Sequence, residues 1–136
     1  MSDFFPWKDH YATGIPSIDS QHRRLVGLIN ELFLAMKEGK GNDILGKVLH
    51  DLAAYTKTHF AHEEKLFAEH RYPKAAVHIR EHQGLVQQVA DVSKDLAAGK
   101  PVLTLRVMNL LKDWLNTHIL GSDQAYAPFL RERGVQ

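Results

Sequence analysis

The chain has 136 residues, 44% of them hydrophobic and 24% charged, with a formal net charge of +1 and no cysteine. That length suits one domain with a core of its own, and the even mixing of charge leaves no basic stripe for nucleic acid or an anionic membrane. Without cysteine there are no disulfides, thiolate metal sites, iron–sulfur clusters or cysteine nucleophiles.

The opening Met1-Ser2-Asp3-Phe4-Phe5-Pro6-Trp7-Lys8-Asp9 has neither the basic start nor the apolar stretch of a secretory signal. No run approaches the roughly 18 apolar residues of a membrane span. A cytoplasmic protein with no membrane insertion is the expectation. To about Ser17 the chain reads as an irregular arm, interrupted by Pro6, Gly14 and Pro16 and carrying Phe4, Phe5, Trp7 and Tyr11 to pack onto the remainder.

Four segments with helical periodicity follow. The first runs from about Ile18 to Glu38, with His22, Leu25, Ile29, Leu32, Phe33 and Met36 at three- and four-residue steps before Gly39-Lys40-Gly41 ends it. Asn42 is placed to cap the second, about Asp43 to His70, whose stripe is Leu45, Leu49, Leu52, Tyr55, His59, Glu63, Leu66 and Phe67. Arg71-Tyr72-Pro73 breaks the pattern. The third, about Lys74 to Ala98, aligns His78, His82, Leu85, Val89, Val92 and Leu96. Pro101 suits the first turn of the fourth, which carries Leu103, Val107, Leu110, Leu111, Trp114 and His118 and weakens at Gly121. Tyr126, Phe129 and Leu130 mark a short helical segment packing back at the end. The fold expected is an all-α, antiparallel, up-down-up-down four-helix bundle in a single domain, 1–136: arm to about 17, bundle about 18–121, terminal segment about 122–136.

Nine histidines is a high count for this length, and five of them, His22, His59, His78, His82 and His118, lie on the apolar stripes where leucine belongs. A buried imidazole needs a hydrogen-bond partner or a metal, since an unsatisfied polar group in a core costs about 1–3 kcal/mol. One such residue is ordinarily a satisfied core histidine. Five in phase on four helices, with carboxylates at matching offsets, point to a metal site. His59 and Glu63 are four apart, as are His78 and His82, so each pair stands on adjacent turns of one helix face, about 40° apart. His118 and Asp123 are five apart, about 140° on a regular helix, and both can face inward only if the helix ends or widens to a π-turn near Gly121. Five nitrogens and two carboxylates exceed one tetrahedral zinc and suit two octahedral metals bridged by the carboxylates. Imidazole with carboxylate points to iron, with manganese, zinc or copper as mis-metallated alternatives. His10, His50 and His70 read as solvated, and His62 as a weaker candidate beside the ligands.

Four stretches carry a resemblance: Gly14-Ile15-Pro16-Ser17-Ile18-Asp19-Ser20-Gln21-His22, His59-Phe60-Ala61-His62-Glu63-Glu64, His78-Ile79-Arg80-Glu81-His82, and Trp114-Leu115-Asn116-Thr117-His118-Ile119-Leu120-Gly121-Ser122-Asp123. Together they resemble the hemerythrin family, in its single-domain bacterial form, over about Trp7 to Leu130. The resemblance implies one iron on His78, His82 and His118 and the other on His22 and His59. Glu63, Asp123 and a solvent-derived oxo or hydroxo would bridge the two. It implies reversible dioxygen binding, end-on as hydroperoxide at the five-coordinate iron, with the proton coming from the bridging hydroxide and no protein acid or base required. Leu25, Phe60, Trp114 and Ile119 match the family's apolar O2 pocket, besides serving as core. A carrier or store that is not an enzyme is the expectation; an oxygen or redox sensor, or a peroxidase or nitric oxide-processing enzyme, are the alternatives. The chain shows no appended domain or coiled coil, which favours the free carrier, and the patchless surface suits a monomer. No Glu-x-x-His pair or His-Glu-x-x-His motif is present, so ferritin-like oxidases and zinc proteases are set aside.

Overall fold

Pro16 opens the first helix, α1 (Pro16–Lys37), two residues earlier than the apolar stripe suggests. Its fixed φ suits the first helical position, and its missing N–H is one that no intrahelical acceptor would have satisfied. The computed structural model describes residues 5–99 and 104–136, with the side chains of 41–43 and 104 outside the description. Phe4, Pro101 and Leu103 lie outside the described residues, as does the side chain of Asn42.

Helix α2 spans Gly41–His70, α3 Ala75–Ala97 and α4 Thr104–His118; a π-helical turn, Ile119–Asp123, then leads into α5 (Gln124–Arg131). Helix α1 stops at Gly39, which takes φ +77° and lets the Lys40 N–H reach back to the Ala35 carbonyl at 2.7 Å. Helix α2 stops the same way at Arg71, φ 55°, with the Tyr72 N–H on the Phe67 carbonyl at 3.0 Å. Such short connections make sequential helices antiparallel neighbours. Helix α1 packs on α2 and α4, α2 on α3, and α3 on α4, which closes the bundle. Among the described residues there is no strand, and no helix is long and apolar enough to cross a membrane.

Apolar burial divides into two clusters with the histidines between them. The larger contains Leu25, Leu28, Ile29 and Leu32 of α1, Leu45, Leu49 and Leu52 of α2, Leu85 and Val89 of α3, and Val107, Met108, Leu111 and Leu115 of α4. The smaller joins Ile15, Ile18, Phe67, Tyr72, Tyr126, Ala127 and Leu130. Along α1 His22 falls between Ile18 and Leu25; along α2 Glu63 falls between Phe60 and Phe67. Each helix therefore presents its polar group at one level, closed above and below by hydrocarbon. Phe33, Met36, Val92, Leu96 and Leu110, assigned to the stripes by periodicity, are only half-buried, whereas Leu28, Met108 and Leu115 are buried in the core.

The arm is held by polar side chains as well as by its aromatics. Phe5 is fully buried, and the Asn30 amide pairs with both its backbone N–H, at 2.7 Å, and its carbonyl, at 2.9 Å. A 3-10 turn, Asp9–Tyr11, directs the Tyr11 hydroxyl to Asn116 Oδ1 at 2.8 Å. Asp19 in the first turn of α1 accepts from the Thr13 N–H and Oγ1, both at 2.8 Å, and from the Gly14 N–H at 3.2 Å. Gly14 takes φ +78°, which favours glycine; a Cβ there would also sit 3.0 Å from the exposed Arg131 side chain, which would have to shift slightly. The Gly14-to-Asp19 stretch is thus a lock between arm and bundle that leaves His22 one turn further on.

Candidate metal centre

All seven residues expected as ligands meet in one layer: His22, His59, His78, His82 and His118 are at most 3% exposed, and Glu63 and Asp123 are fully buried. Helical phase brings the first five there with Glu63. Asp123 arrives because the π-helical turn Ile119–Asp123 inserts the extra residue that the five-step spacing from His118 demands. The widening falls where the sequence placed a helix end or a π-turn.

The two carboxylates stand between two groups of imidazoles. Asp123 turns Oδ2 to His22 Nε2 at 3.0 Å and Oδ1 to His78 and His118 Nε2, each at 3.1 Å. Glu63 Oε1 lies 3.0 Å from His59 Nε2 and 3.2 Å from His82 Nε2. Ligand atoms of Glu63, His78, His82 and His118 all fall within 4.8 Å of one another, and so do those of His22, His59 and Glu63. The arrangement is therefore three imidazoles against two, sharing Glu63 and spanned by Asp123.

Polar atoms left without partners identify what this layer can hold. Nε2 of His22, His78, His82 and His118, Glu63 Oε1 and both Asp123 oxygens are buried and make no hydrogen bond. Seven orphaned groups in one core, at about 1–3 kcal/mol each, would together cost on the order of 10 kcal/mol. Nitrogen lone pairs and anionic oxygens facing one another are a donor set for cations, and without thiolate they fit a non-heme iron centre.

Around the layer, polar side chains flank the rings. His59 Nδ1 lies 2.6 Å from Gln21 Oε1, and His82 Nδ1 lies 3.0 Å from Glu64 Oε2. An amide or carboxylate oxygen only accepts, so each Nδ1 carries the proton and each Nε2 offers a lone pair inward. Glu81 lies 3.6 Å from His118 Nδ1 and accepts the Ser122 hydroxyl at 2.7 Å. The Tyr126 hydroxyl donates to Glu63 Oε2, and its ring packs against Phe67 at 5.3 Å and His78 at 5.4 Å. None of these supporting roles was read from the sequence. The available signals were position alone: Gln21 and Glu64 adjoin His22 and Glu63 in the chain, and Tyr126 stands one turn beyond Asp123. His62 points elsewhere, its Nε2 lying 3.2 Å from Ser17 Oγ.

Electrostatics follow from burial and proximity. Burial and the Asp123 charge push the Glu63 carboxyl up, but His59 and His82 outweigh them and hold it well below its ordinary value. Burial likewise opposes ionisation of Asp123, and His118, His22 and His78 hold it well down. Burial lowers His22 and His118, yet Asp123 opposite them raises both overall; His59 stays lowered by burial. Burial, with the nearby Glu63 and Asp123 charges, raises Tyr126 well above the usual phenol. Protons and metal ions compete here for the same atoms.

The apolar residues expected beside the ligands are close by. Phe60 lies flat on His82, centroids 3.6 Å apart at 5°, and Trp114 on His118 at 4.3 Å and 18°. Leu25 and Ile119 are buried in the same cluster as Phe60 and Leu115, with the half-buried Trp114 packed against it.

Comparison with known proteins agrees with this geometry. The family model described as the hemerythrin HHE cation binding domain matches residues 13–130. A bacteriohemerythrin of Stenotrophomonas maltophilia is 37% identical over 89% of this chain and 78% of its own length. Those of Pseudomonas aeruginosa and Methylococcus capsulatus are 34% and 32% identical, over 92% and 88% of this chain and 80% and 91% of theirs. A wild-type hemerythrin crystal structure superposes with a TM-score of 0.87 at 30% identity, covering 93% of this chain and 98% of that one. The bundle, its buried histidine–carboxylate layer and these likenesses together place the chain in the hemerythrin family.

Proposed function

We propose that this protein binds dioxygen reversibly, as a carrier or store, at a pair of irons held by His22, His59, Glu63, His78, His82, His118 and Asp123. The observation that carries the reading is the unequal donor set: three imidazoles gather on one side of Glu63 and Asp123 and two on the other. With equal shares of the carboxylates, the side of His22 and His59 has one protein ligand fewer and leaves room for a small exogenous molecule. A pair of ferrous ions held by these residues would supply the reversible two-electron chemistry that dioxygen binding requires.

The chain's residues do the remainder. Glu63 and Asp123 contribute two negative charges that offset those of the metals in a site without other buried carboxylates among the described residues. Gln21 and Glu64 fix the tautomers of His59 and His82, so neither ring must reorganise. Leu25, Phe60, Trp114 and Ile119 form the apolar wall of the dioxygen site and keep out the water and protons that would release reduced oxygen. This wall favours binding over turnover, and among the described residues the one further acid in the layer, Tyr126, is engaged with Glu63. The bacteriohemerythrin relatives support the same reading.

Stopped-flow absorbance of the di-ferrous protein tests it. A stable adduct with one dioxygen per two irons, discharged under vacuum, is the expected result. Rapid one-way oxidation with sustained peroxide or nitric oxide consumption would establish an enzyme instead. His118→Ala should abolish the stoichiometry of two tightly bound irons; retention of both refutes the ligand assignment.

A further inference from the structure

The three-histidine half of the centre approaches the surface at three solvent-open depressions, one each at His78, His82 and His118, and in the last two an aromatic ring lies on the imidazole. One, of about 400 Å³ between α2 and α3, has Phe60 on His82 as its floor and Lys57, Glu64, Gln83 and Gln87 at its rim. Another, of about 340 Å³ between α3 and α4, is lined by Trp114, His118, Glu81, Asp113, Leu110 and Thr117. Neither His22 nor His59 lines any of the three.

We propose that the α3–α4 depression is an electron-entry port, where the positively charged face of a one-electron donor protein docks and reduces the centre through the Trp114–His118 stack. The inference rests on the iron pair proposed above. Trp114 is half-buried, with one side lining the depression and the other 4.3 Å from His118 at 18°, a parallel contact suited to orbital overlap. The indole is not itself oxidised; it presents a wider conjugated face to its imidazole than the phenyl ring at the other depression, although Phe60 stacks more closely on His82. Charge distinguishes the two as well. The lining around Trp114 contains Glu81 and Asp113 and no lysine or arginine, whereas Lys57 faces Glu64 across the other. His118 itself is 3% exposed, lines this depression, and has an Nδ1 without a hydrogen-bond partner.

The chemistry is outer-sphere: no bond to the donor forms or breaks. Two donor molecules each lose one electron, and two ferric ions become ferrous. Trp114 belongs to the apolar wall as well, so the donor docks on its solvent-facing side and stays away from His22 and His59, where dioxygen is held.

Stopped-flow reduction of the air-oxidised protein, with two irons confirmed by elemental analysis, tests the port. Hexaammineruthenium(II) stands for a cationic donor and ferrous EDTA for an anionic one. The cation's rate should rise about tenfold as ionic strength falls from about 0.5 M to about 0.01 M, while the anion's falls. Asp113→Asn should flatten the cation's salt dependence alone; Trp114→Leu should slow both donors several-fold, with Trp114→Phe in between. Lys57→Gln, at the other depression, should change neither. Unaltered rates in the Trp114 variants, or rates that follow Lys57, overturn the proposal. An independent reading uses the zinc-loaded or metal-free protein. Redox-inert, paramagnetic hexaamminechromium(III) should broaden the Trp114 indole N–H resonance well before that of Trp7, and less so in Asp113→Asn. Equal broadening of the two overturns the port whatever the iron does, and a failure to bind dioxygen overturns only the function above.

Discussion

Tyr126 donates its hydroxyl hydrogen to Glu63 Oε2, and both side chains are completely buried. This occupies one oxygen of the carboxylate and turns the other, Oε1, toward His59 and His82. Tyr126→Phe leaves Oε2 buried without its donor and is expected to destabilise the metal-free protein by about 1–3 kcal/mol. The phenol is held protonated in the fold, so its contribution is complete below the unfolded tyrosine value near 10 and is lost as pH rises through the folded value. Urea denaturation at pH 7 and pH 11 checks both parts. The variant should lose less stability between the two pH values than the parent, and equal losses contradict the assignment.

Gln21 and Glu64 support opposite halves of the site, through His59 and His82. Removing a hydrogen-bond partner of a metal-bound imidazole commonly weakens metal affinity about 10–100-fold. Gln21→Ala should therefore speed loss of the iron on the two-histidine side, and Glu64→Ala that on the three-histidine side. Chelator competition followed by Mössbauer spectra of the partly depleted protein distinguishes them. Identical spectra from the two variants would show that neither partner acts on its own half.

The buried histidine–carboxylate layer was legible because a polar group on a 3.6-residue apolar stripe is out of place, and five such departures on four helices cannot all be solvated. His118 and Asp123 even disclosed the local backbone, since a spacing of five reaches one face only through a widened turn. Gln21, Glu64 and Glu81 were not legible in their roles. They sit at the edges of stripes, where a polar residue is expected anyway. Tyr126 looked like core because only its oxygen has a special partner. The lock of Asp19 on Thr13 and Gly14 escaped for another reason: side-chain bonds to irregular backbone leave no periodic trace.

Protonation and iron binding oppose each other at the layer. Burial lowers His22 and His118, but Asp123 holds both above the ordinary imidazole value. Their protonated forms add stability that is complete below the unfolded value of about 6.5 and is lost as pH rises through the folded value. His59, kept neutral by burial, acts in the opposite sense, one group against two. Glu63 and Asp123 are depressed, so their contribution is present above the unfolded carboxylate value near 4 and fades as pH falls through the folded values. The melting temperature of the metal-free protein should therefore fall between pH 6 and 8, while the iron-loaded protein, whose rings are held neutral by metal, gains relative to it. Calorimetry of both forms measures the divergence, and a metal-free protein that becomes more stable across this interval contradicts the ion pairs.

Gly121 lies inside the π-helical turn that aims Asp123, yet a Cβ there would meet nothing within 4 Å, and its φ is not in the left-handed region. The turn needs the residue and not the glycine. Gly121→Ala is expected to bind two irons as the parent does and to gain up to about 1 kcal/mol from its better helix propensity. Deleting Gly121 should have the opposite effect. It would let α4 continue as a regular helix into α5, with His118 and Asp123 now four apart and everything beyond the deletion turned by about 100° relative to the bundle. Asp123 could then face His22 and His78 only by rotating Tyr126 and Leu130 out of the smaller core cluster, and both are fully buried there. Retaining that cluster is worth more than restoring one carboxylate, at about 1.5–3 kcal/mol for each large apolar side chain. The deletion variant should stay helical by circular dichroism and lose the second iron in elemental analysis. Two irons retained in the deletion, or one lost from Gly121→Ala, would show that the π-turn does not position Asp123.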